Sequence, residues 1–503
     1  MTHALASELE TIVGAGGVSR DAADRVSYAR DLWPRGLVRM RAGRAPATPP
    51  ALVVWPRTVE QVAEIVTRAR AHGAPVVPFG AGSGVCGGVL PTPATVVVDL
   101  KRMREVRVID AAELECEAEA GVLGQHLEDR LLEAGLTLGH YPSSIMTSTL
   151  GGWVAARSAG QCSGRYGKIE DMVLALEMVD GEGRIHRVER DGPAGALVPL
   201  VIGSEGTMAI VTAARVRIAP APETRRFAAF SVPTTAAGIH VLRRVYQAGL
   251  RPAVARLYDP VDTALAKRSR RKHAAAAVGT NAKKRQVRST PSAEARLLAR
   301  AGAVNTVLHA LGDETLGGCL MIFVWETHGP LADAELDVTT RIAHEQGGRD
   351  LGDGPAQRWL VRRHAVSYRQ SPAFADGLFA DTMEVAAPWS RLLGVYHAVR
   401  EALAPYVVVL AHFSHAYPHG GSIYFTYAGA AHDGDAAITR YETTWRTALA
   451  AAIDAGATLS HHHGVGRSKA PAMRREQGAA IELVRRLQLA LDPGRILNPG
   501  ALV

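Results

Sequence analysis

From residue 51 the chain alternates short apolar runs with amphipathic stretches. Ala51-Leu52-Val53-Val54-Trp55 reads as a buried strand. Thr58 then opens a helix through Arg70, with its hydroxyl as N-cap and Gln61 three residues on, and Gly73 ends it. Pro75-Val76-Val77-Pro78 is the next strand and runs into small residues. Thr95-Val96-Val97-Val98-Asp99-Leu100 is a buried strand, 105–120 alternates with the strand period, and Val122–Ala134 reads as a helix with Gly135 just past its end. Ahead of these, 7–40 reads as helical but irregular around Trp33-Pro34.

Strands return at Met172–Val179, a turn at Gly181-Glu182-Gly183, Arg184–Val188 and Val211–Ile218, before Pro220 and Pro222. A second unit starts at Arg226 and reads strand, helix (235–248), strand (253–258), a basic insert, helix, strand (319–325), helix (331–346). That order predicts an antiparallel sheet backed by helices, so the fold class is α+β. The expected divisions are a helical segment 1–45, a first domain 46–222, a second domain 223–454 with the insert at 266–290, and a closing segment 455–503. The closing segment is too short to fold alone and is expected to pack on the first domain. No internal repeat is visible.

With 503 residues, 47% of them hydrophobic, the chain has ample material for a core. No run is apolar for the roughly 20 residues a membrane helix needs. Met1-Thr2-His3-Ala4-Leu5 does not read as a secretory signal. Cys86, Cys116, Cys162 and Cys319 are scattered, so the expectation is free thiols in a reducing, cytoplasmic setting. The net charge of +8 is largely local. Lys267, Arg268, Arg270, Arg271, Lys272, Lys283, Lys284, Arg285 and Arg288 carry it, with no acid between them, and without them the rest of the chain stands at −1. The insert reads as a solvated segment or as a peripheral contact with an anionic membrane surface. It has few aromatic residues on which bases could stack, which argues against nucleic acid. The expected partner is a small-molecule or lipid substrate, and the reading allows a homodimer.

Candidate chemistry gathers in two kinds of segment. Pro78-Phe79-Gly80-Ala81-Gly82-Ser83-Gly84 offers bare backbone to a diphosphate. Gly82-Ser83-Gly84-Val85-Cys86-Gly87 spells GxGxxG, but the dinucleotide fingerprint needs a helix at its last glycine. Pro91 and Pro93 make one implausible here. The loop therefore reads as a phosphate cradle of another nucleotide fold. Pro142-Ser143-Ser144-Ile145-Met146-Thr147-Ser148, running on to Gly151-Gly152-Trp153, and Gly203-Ser204-Glu205-Gly206-Thr207-Met208-Ala209-Ile210-Val211 share its character. Three such loops at strand ends can line one long cofactor. The second kind is His461-His462-His463-Gly464-Val465-Gly466, three imidazoles suited to moving protons near neutral pH.

At these loops the chain resembles the FAD-linked oxidase superfamily, with a vanillyl-alcohol-oxidase (PCMH-type) FAD domain. The resemblance runs from about residue 45 to the closing Asp492-Pro493-Gly494-Arg495-Ile496-Leu497-Asn498-Pro499-Gly500. It implies a two-subdomain FAD-binding domain, an α/β cap with an antiparallel sheet, and a C-terminal segment returning to the FAD domain. It also implies FAD in the three loops, with Ala155, Ala156, Arg157 and Ser158 added to them. Some relatives attach FAD through a loop histidine; this loop has none, so noncovalent FAD is expected. Within the superfamily the resemblance is strongest to alkylglycerone-phosphate synthase (alkyl-dihydroxyacetone-phosphate synthase). It is carried by Gly151-Gly152-Trp153-Val154, Tyr166-Gly167-Lys168-Ile169-Glu170-Asp171, Gly203 to Thr207, Ala387-Pro388-Trp389 and Ser460 to Gly466.

That family exchanges the acyl chain of acyl-dihydroxyacetone phosphate for a fatty alcohol, a step of ether lipid synthesis, through an adduct at flavin N5. The resemblance implies Tyr424 as general acid/base with a phenol pKa lowered by nearby cations. It implies His461, His462 and His463 as proton carriers and Arg256 as the holder of an anionic oxygen. One motif departs: where the family has Tyr-x-Arg-Asp, this chain has Tyr368-Arg369-Gln370-Ser371. Arg369 is the substrate-binding candidate but stands one residue out of phase, and Arg358, Arg362 or Arg363 can substitute. The alternative is an FAD-linked oxidoreductase acting on a D-2-hydroxy acid or alcohol. Such relatives bind a metal through His-x6-His and a Glu-His-Gly-Ile-Gly segment. His412 and His419 have the first spacing, but His462 stands where the glutamate would be, so no metal is expected.

Overall fold

The computed structural model describes residues 2–44, 48–267, 293–327, 330–365, 378–431 and 433–503. The cationic insert beyond Lys267 and the Tyr368–Ser371 stretch, including Arg369, lie outside them.

The first unit holds two sheets. Leu52–Val54, Val96–Asp99 and Val76–Phe79 lie side by side in parallel, and Val18–Ser19 pairs antiparallel with the first of them. Leu52, Val53, Val54, Val96, Val97 and Val98 are wholly buried, which is why they read as continuous apolar runs. The helix Val59–Ala71 packs behind. Its N-cap is Thr58, whose hydroxyl accepts from Gln61 N at 3.3 Å, while the Gln61 side chain accepts from Arg57 N. Gly73, at φ +61°, closes it. The second sheet is antiparallel, in the order Val106–Asp110, Glu115–Glu119, Ala209–Arg217, Val173–Asp180, Ile185–Glu189. The N-terminal stretch is three helices, Thr2–Val13, Ala22–Ser27 and Pro34–Arg41, the last with Pro34 at its first turn.

The second unit is a seven-stranded antiparallel sheet. Its order is Arg349–Asp350, Thr224–Val232, Cys319–Thr327, Val254–Tyr258, Val408–Tyr417, Gly420–Ala430, Leu378–Pro388. Helices Thr235–Gln247, Leu331–Glu345, Trp389–Leu403 and Gly434–Asp454 back it. Phe230, Phe323, Trp325, Phe413, Phe425 and Tyr427 fill the core between sheet and helices. The architecture is α+β, with antiparallel sheets dominant. The last residues return to the first sheet: Val76 N donates to Ile496 O and Asn498 N to Val76 O, both at 2.7 Å. All four cysteines are free and buried. No helix among the described residues is long and apolar enough to cross a membrane.

Candidate active site

One cavity of about 1140 Å³ lies between the two units. On one side it is bounded by loops at strand ends. All of Pro78–Gly84 lines it, as do Pro142, Ser143, Ser144, Thr147, Ser148, Ala155, Ala156, Ser158, Glu205, Gly206, Ala209, Ile210 and Val211. No helix follows Gly87, so the dinucleotide fingerprint is absent in structure as well as in context. Lys101 Nζ donates to Gly80 O at 2.9 Å while pairing with Asp99, which ties the first loop to its sheet. Asp31 accepts from Gly88 N at 3.0 Å and closes the loop's far end.

Five expected cofactor residues turn away from the cavity. Ile145 is fully buried in the first unit's core, and Met146 is 56% exposed. Arg157 is left-handed at φ +55° and pairs outward with Glu170. Thr207 bonds back to Ser204 O, and Met208 is buried. A loop exposes only some of its side chains to a ligand, and motif membership does not say which. Gly151, Gly152, Trp153 and Ser204 of the expected loop segments also line the cavity, as does Cys86, which the sequence reading did not single out.

The opposite wall is the face of the seven-stranded sheet. Register puts Tyr258 opposite His412, His412 opposite Tyr424, and Tyr424 opposite Glu384. Directly opposed residues share a face, so these four side chains form one row across four strands. Arg256 lies two residues from Tyr258 on the same face. His412 stacks on Tyr424, ring centroids 4.7 Å apart. An irregularity between Phe413 and His415 shifts the register, so His415 opposes Ser422 and joins the same face as His412, three residues away. Strict alternation along the strand would put His415 on the other face. His415 Nδ1 lies 2.9 Å from Ser163 Oγ.

The triple histidine sits in a bend rather than an extended segment. His462 and His463 line the cavity; His461 does not. His462 Nε2 is hydrogen-bonded to Tyr424 Oη. The Nδ1 atoms of His461 and His462 are 2.9 Å apart, and His461 Nε2 has no partner among the described residues. The result is a chain Tyr424–His462–His461. Burial lowers all the imidazoles: His461 and His463 to about 4, His462 and His415 well below their usual value. The cluster is neutral near pH 7. Tyr424 does not behave as expected. Burial raises its phenol and Glu384 raises it further, with Arg256 offsetting only part, so it is a neutral hydroxyl.

The remaining wall is cationic. Arg256, Arg358, Arg362 and Arg363 line the cavity together with Trp359. Arg256 lies 5.1 Å over the Trp359 ring, and its buried Nε has no hydrogen-bond partner among the described residues. Asp262 also lines the cavity, its carboxylate 3.5 Å from His412 Nδ1. His419, the second residue of the His-x6-His spacing, lies in the turn between strands Val408–Tyr417 and Gly420–Ala430.

Residues 50–189 match the family described as FAD binding domain, and residues 221–502 match the C-terminal domain of FAD linked oxidases. The chain belongs to the FAD-linked oxidases. It is similar to alkyldihydroxyacetonephosphate synthase of Trypanosoma brucei brucei, 28% identical over 99% of this chain and 80% of that protein. It is also similar to an uncharacterized FAD-linked oxidoreductase, YgcU, of Escherichia coli K12, 27% identical over 90% of this chain and 89% of that one. A solved alkyldihydroxyacetonephosphate synthase superposes with a TM-score of 0.76 at 25% identity, covering 99% of this chain and 84% of that chain. The protein is thus an FAD-dependent enzyme.

The loops of this FAD-linked oxidase fit the cofactor. Ligand pockets commonly measure about 300–1,000 Å³, and this cavity, at about 1140 Å³, is large enough for a dinucleotide. Gly82 is at φ +66°, and a Cβ there would stand 2.6 Å from the Phe79 ring; Gly206, at φ +71°, is pressed against Pro78. Ser83, Ser143, Ser144, Thr147 and Ser148 line the space with the glycines, and backbone N–H groups and hydroxyls are the groups a diphosphate and its sugars hydrogen-bond.

Proposed function

We propose that the enzyme holds FAD noncovalently and exchanges the acyl chain of an acyl-dihydroxyacetone phosphate for a fatty alcohol. The observation that carries this is the pair Tyr424 and His462 at the cavity, with His461 bonded behind them and four arginines lining the same cavity. The loop Pro78–Gly84 has no histidine, cysteine or tyrosine that could form a covalent link. Bound FAD supplies a nucleophilic, redox-active ring system that no side chain here provides.

The exchange breaks the bond from the substrate carbon to the acyl oxygen and forms one from that carbon to the alcohol oxygen. The fatty acid leaves with the bonding pair, and the alcohol must give up its proton. Tyr424 Oη is the group placed to give or take that proton. If His462 carries its hydrogen on Nδ1, it donates to His461 and its Nε2 accepts from Tyr424. If His461 donates instead, His462 Nε2–H donates to Tyr424. Moving one proton from Tyr424 through His462 to His461 turns the first arrangement into the second, leaving a phenolate at Tyr424 and both ring nitrogens of His461 protonated, and the return of that proton reprotonates Tyr424. Neutral imidazoles suit this, because each then has one donor and one acceptor. Arg256, Arg358, Arg362 and Arg363 hold the anionic phosphate. They take the place of the arginine missing at Gln370.

A second reading is an FAD-linked oxidoreductase acting on a D-2-hydroxy acid or alcohol. The likeness to the Escherichia coli oxidoreductase favours it, and the same arginines suit a carboxylate. One anaerobic experiment separates the two. Purified protein is mixed with acyl-dihydroxyacetone phosphate and a long-chain alcohol, and separately with D-lactate. Ether product from the first mixture, with no flavin bleaching by D-lactate, is the expected result. Bleaching by the hydroxy acid with no ether product selects the second reading.

A further inference from the structure

The loop that carries the histidines is held by charges that no motif announces. Glu384 and Lys469 are both completely buried, with Lys469 Nζ 3.0 Å from Glu384 Oε1. The Glu384 carboxylate also accepts backbone N–H groups from the histidine loop: His461 at 2.8 Å, His463 at 3.0 Å and His462 at 3.5 Å. Just beyond the turn at Gly464, φ +81°, a second, half-buried carboxylate takes over. Glu205, from a cavity-lining loop of the first unit, accepts from Val465 N and Gly466 N, the latter at 2.9 Å. Lys469, on the helix that begins at Gly466, is the cation that both carboxylates feel.

We propose that Glu384 and Lys469 are positioning residues. The carboxylate grips the backbone of His461–His463 and presents His462 to Tyr424, and the lysine keeps that carboxylate charged. Glu205 grips the other half of the loop, so the histidines are seated against the cofactor unit and the cap sheet at once. Three features carry the assignment. A buried ion pair is by itself weak evidence for stability, because desolvation cancels most of its attraction. This one has a further task, since its carboxylate accepts the successive N–H groups of the loop that carries the imidazole chain. Its position is also specific: Glu384 is the cross-strand neighbour of Tyr424, so one short span of sheet sets both ends of the Tyr424–His462 contact. Finally, burial opposes the charge on Glu384, yet Lys469 and the histidine N–H groups hold its carboxyl down at about 2.

The inference rests on the reading of Tyr424 and His462 as the proton-handling pair, but its first test does not use turnover. In the wild-type holoprotein, the amides of His461 and His463 should exchange with deuterium at least about 1,000-fold more slowly than in an unstructured peptide. Exchange at loop-like rates overturns the proposal. Glu384→Asp keeps the charge against Lys469 but withdraws the carboxylate by one methylene. It should retain flavin, lose at least about tenfold of that amide protection, and lower kcat by about 100-fold with little change in KM, because the reacting groups are misplaced rather than removed. The double variant Glu384→Gln with Lys469→Met removes both charges together and should show the same loss of protection at unchanged flavin content. Either variant with wild-type amide protection and wild-type kcat refutes the assignment. Slow wild-type exchange alongside an active Tyr424→Phe would instead sink the proton-handling reading and leave the loop clamp standing.

Discussion

The cofactor cradle is lined by small and hydroxyl-bearing residues of a few loops, Pro78–Gly84 contiguously among them. On the cap sheet the lining side chains are long and come from separate strands and one bend: Arg256, His412, Tyr424 and His462. The first kind of site needs only that a loop be small and correctly turned. The second needs several distant elements to arrive in one register. A substitution in the cradle should therefore cost binding, and one on the row should cost chemistry.

The sharpest break in that division comes from Tyr424→Phe. It removes one oxygen from the row and nothing from the cradle, so flavin content should be unchanged. Turnover should fall by about 10²–10⁴-fold, the usual contribution of a positioned acid/base. Steady-state assay with absorbance at the flavin bands checks both halves, and unchanged turnover would remove Tyr424 from the mechanism. Arg358→Ala should act on substrate instead. Losing a charge-assisted hydrogen bond costs about 1.5–3 kcal/mol, so KM should rise about 10–100-fold with flavin retained. A rise in kcat or a loss of flavin would place Arg358 elsewhere.

In the cradle, Gly82→Val forces a β-branched residue into φ +66° and into the Phe79 ring. Backbone strain of about 1–3 kcal/mol should weaken FAD binding by at least about tenfold while reconstituted enzyme keeps most of its turnover. Fluorescence titration of apoprotein measures it. The smallest effect is on pH. His461 and His463 titrate near 4 in the folded chain against an ordinary value of 6.5. Between those values the unfolded chain binds more protons, so stability should fall as pH drops from 6.5 toward 4. His463→Asn should flatten that fall in Tm, and an unaltered slope would show that His463 is not the titrating group.

Legibility in the sequence follows the same division. The parallel strands Leu52–Val54 and Val96–Asp99, the Thr58 cap and the glycine loop were readable because each is a local pattern. The three adjacent histidines stood out as a run in the sequence, whereas Tyr424 came from a resemblance rather than from periodicity. Glu384 and Lys469 lie far apart in the sequence and belong to no motif; only tertiary packing makes them a buried pair. The register shift after Phe413 is what brings His415 to the face of His412. Arg157 and Met146 belong to cofactor-loop segments, yet local backbone turns them outward. Tyr424 was misjudged electrostatically, since a list of nearby cations says nothing of how deeply the phenol is buried or of the carboxylate beside it.

The most direct test of a single cavity joining cradle and row is calorimetric titration of flavin-free protein with FAD, with amide exchange of the 459–466 segment followed in parallel. One equivalent of FAD should bind, and the His461–His463 amides should become more protected as it does, because Glu205 belongs to both the cofactor wall and the histidine loop. Protein that remains colourless and takes up no FAD would contradict the account.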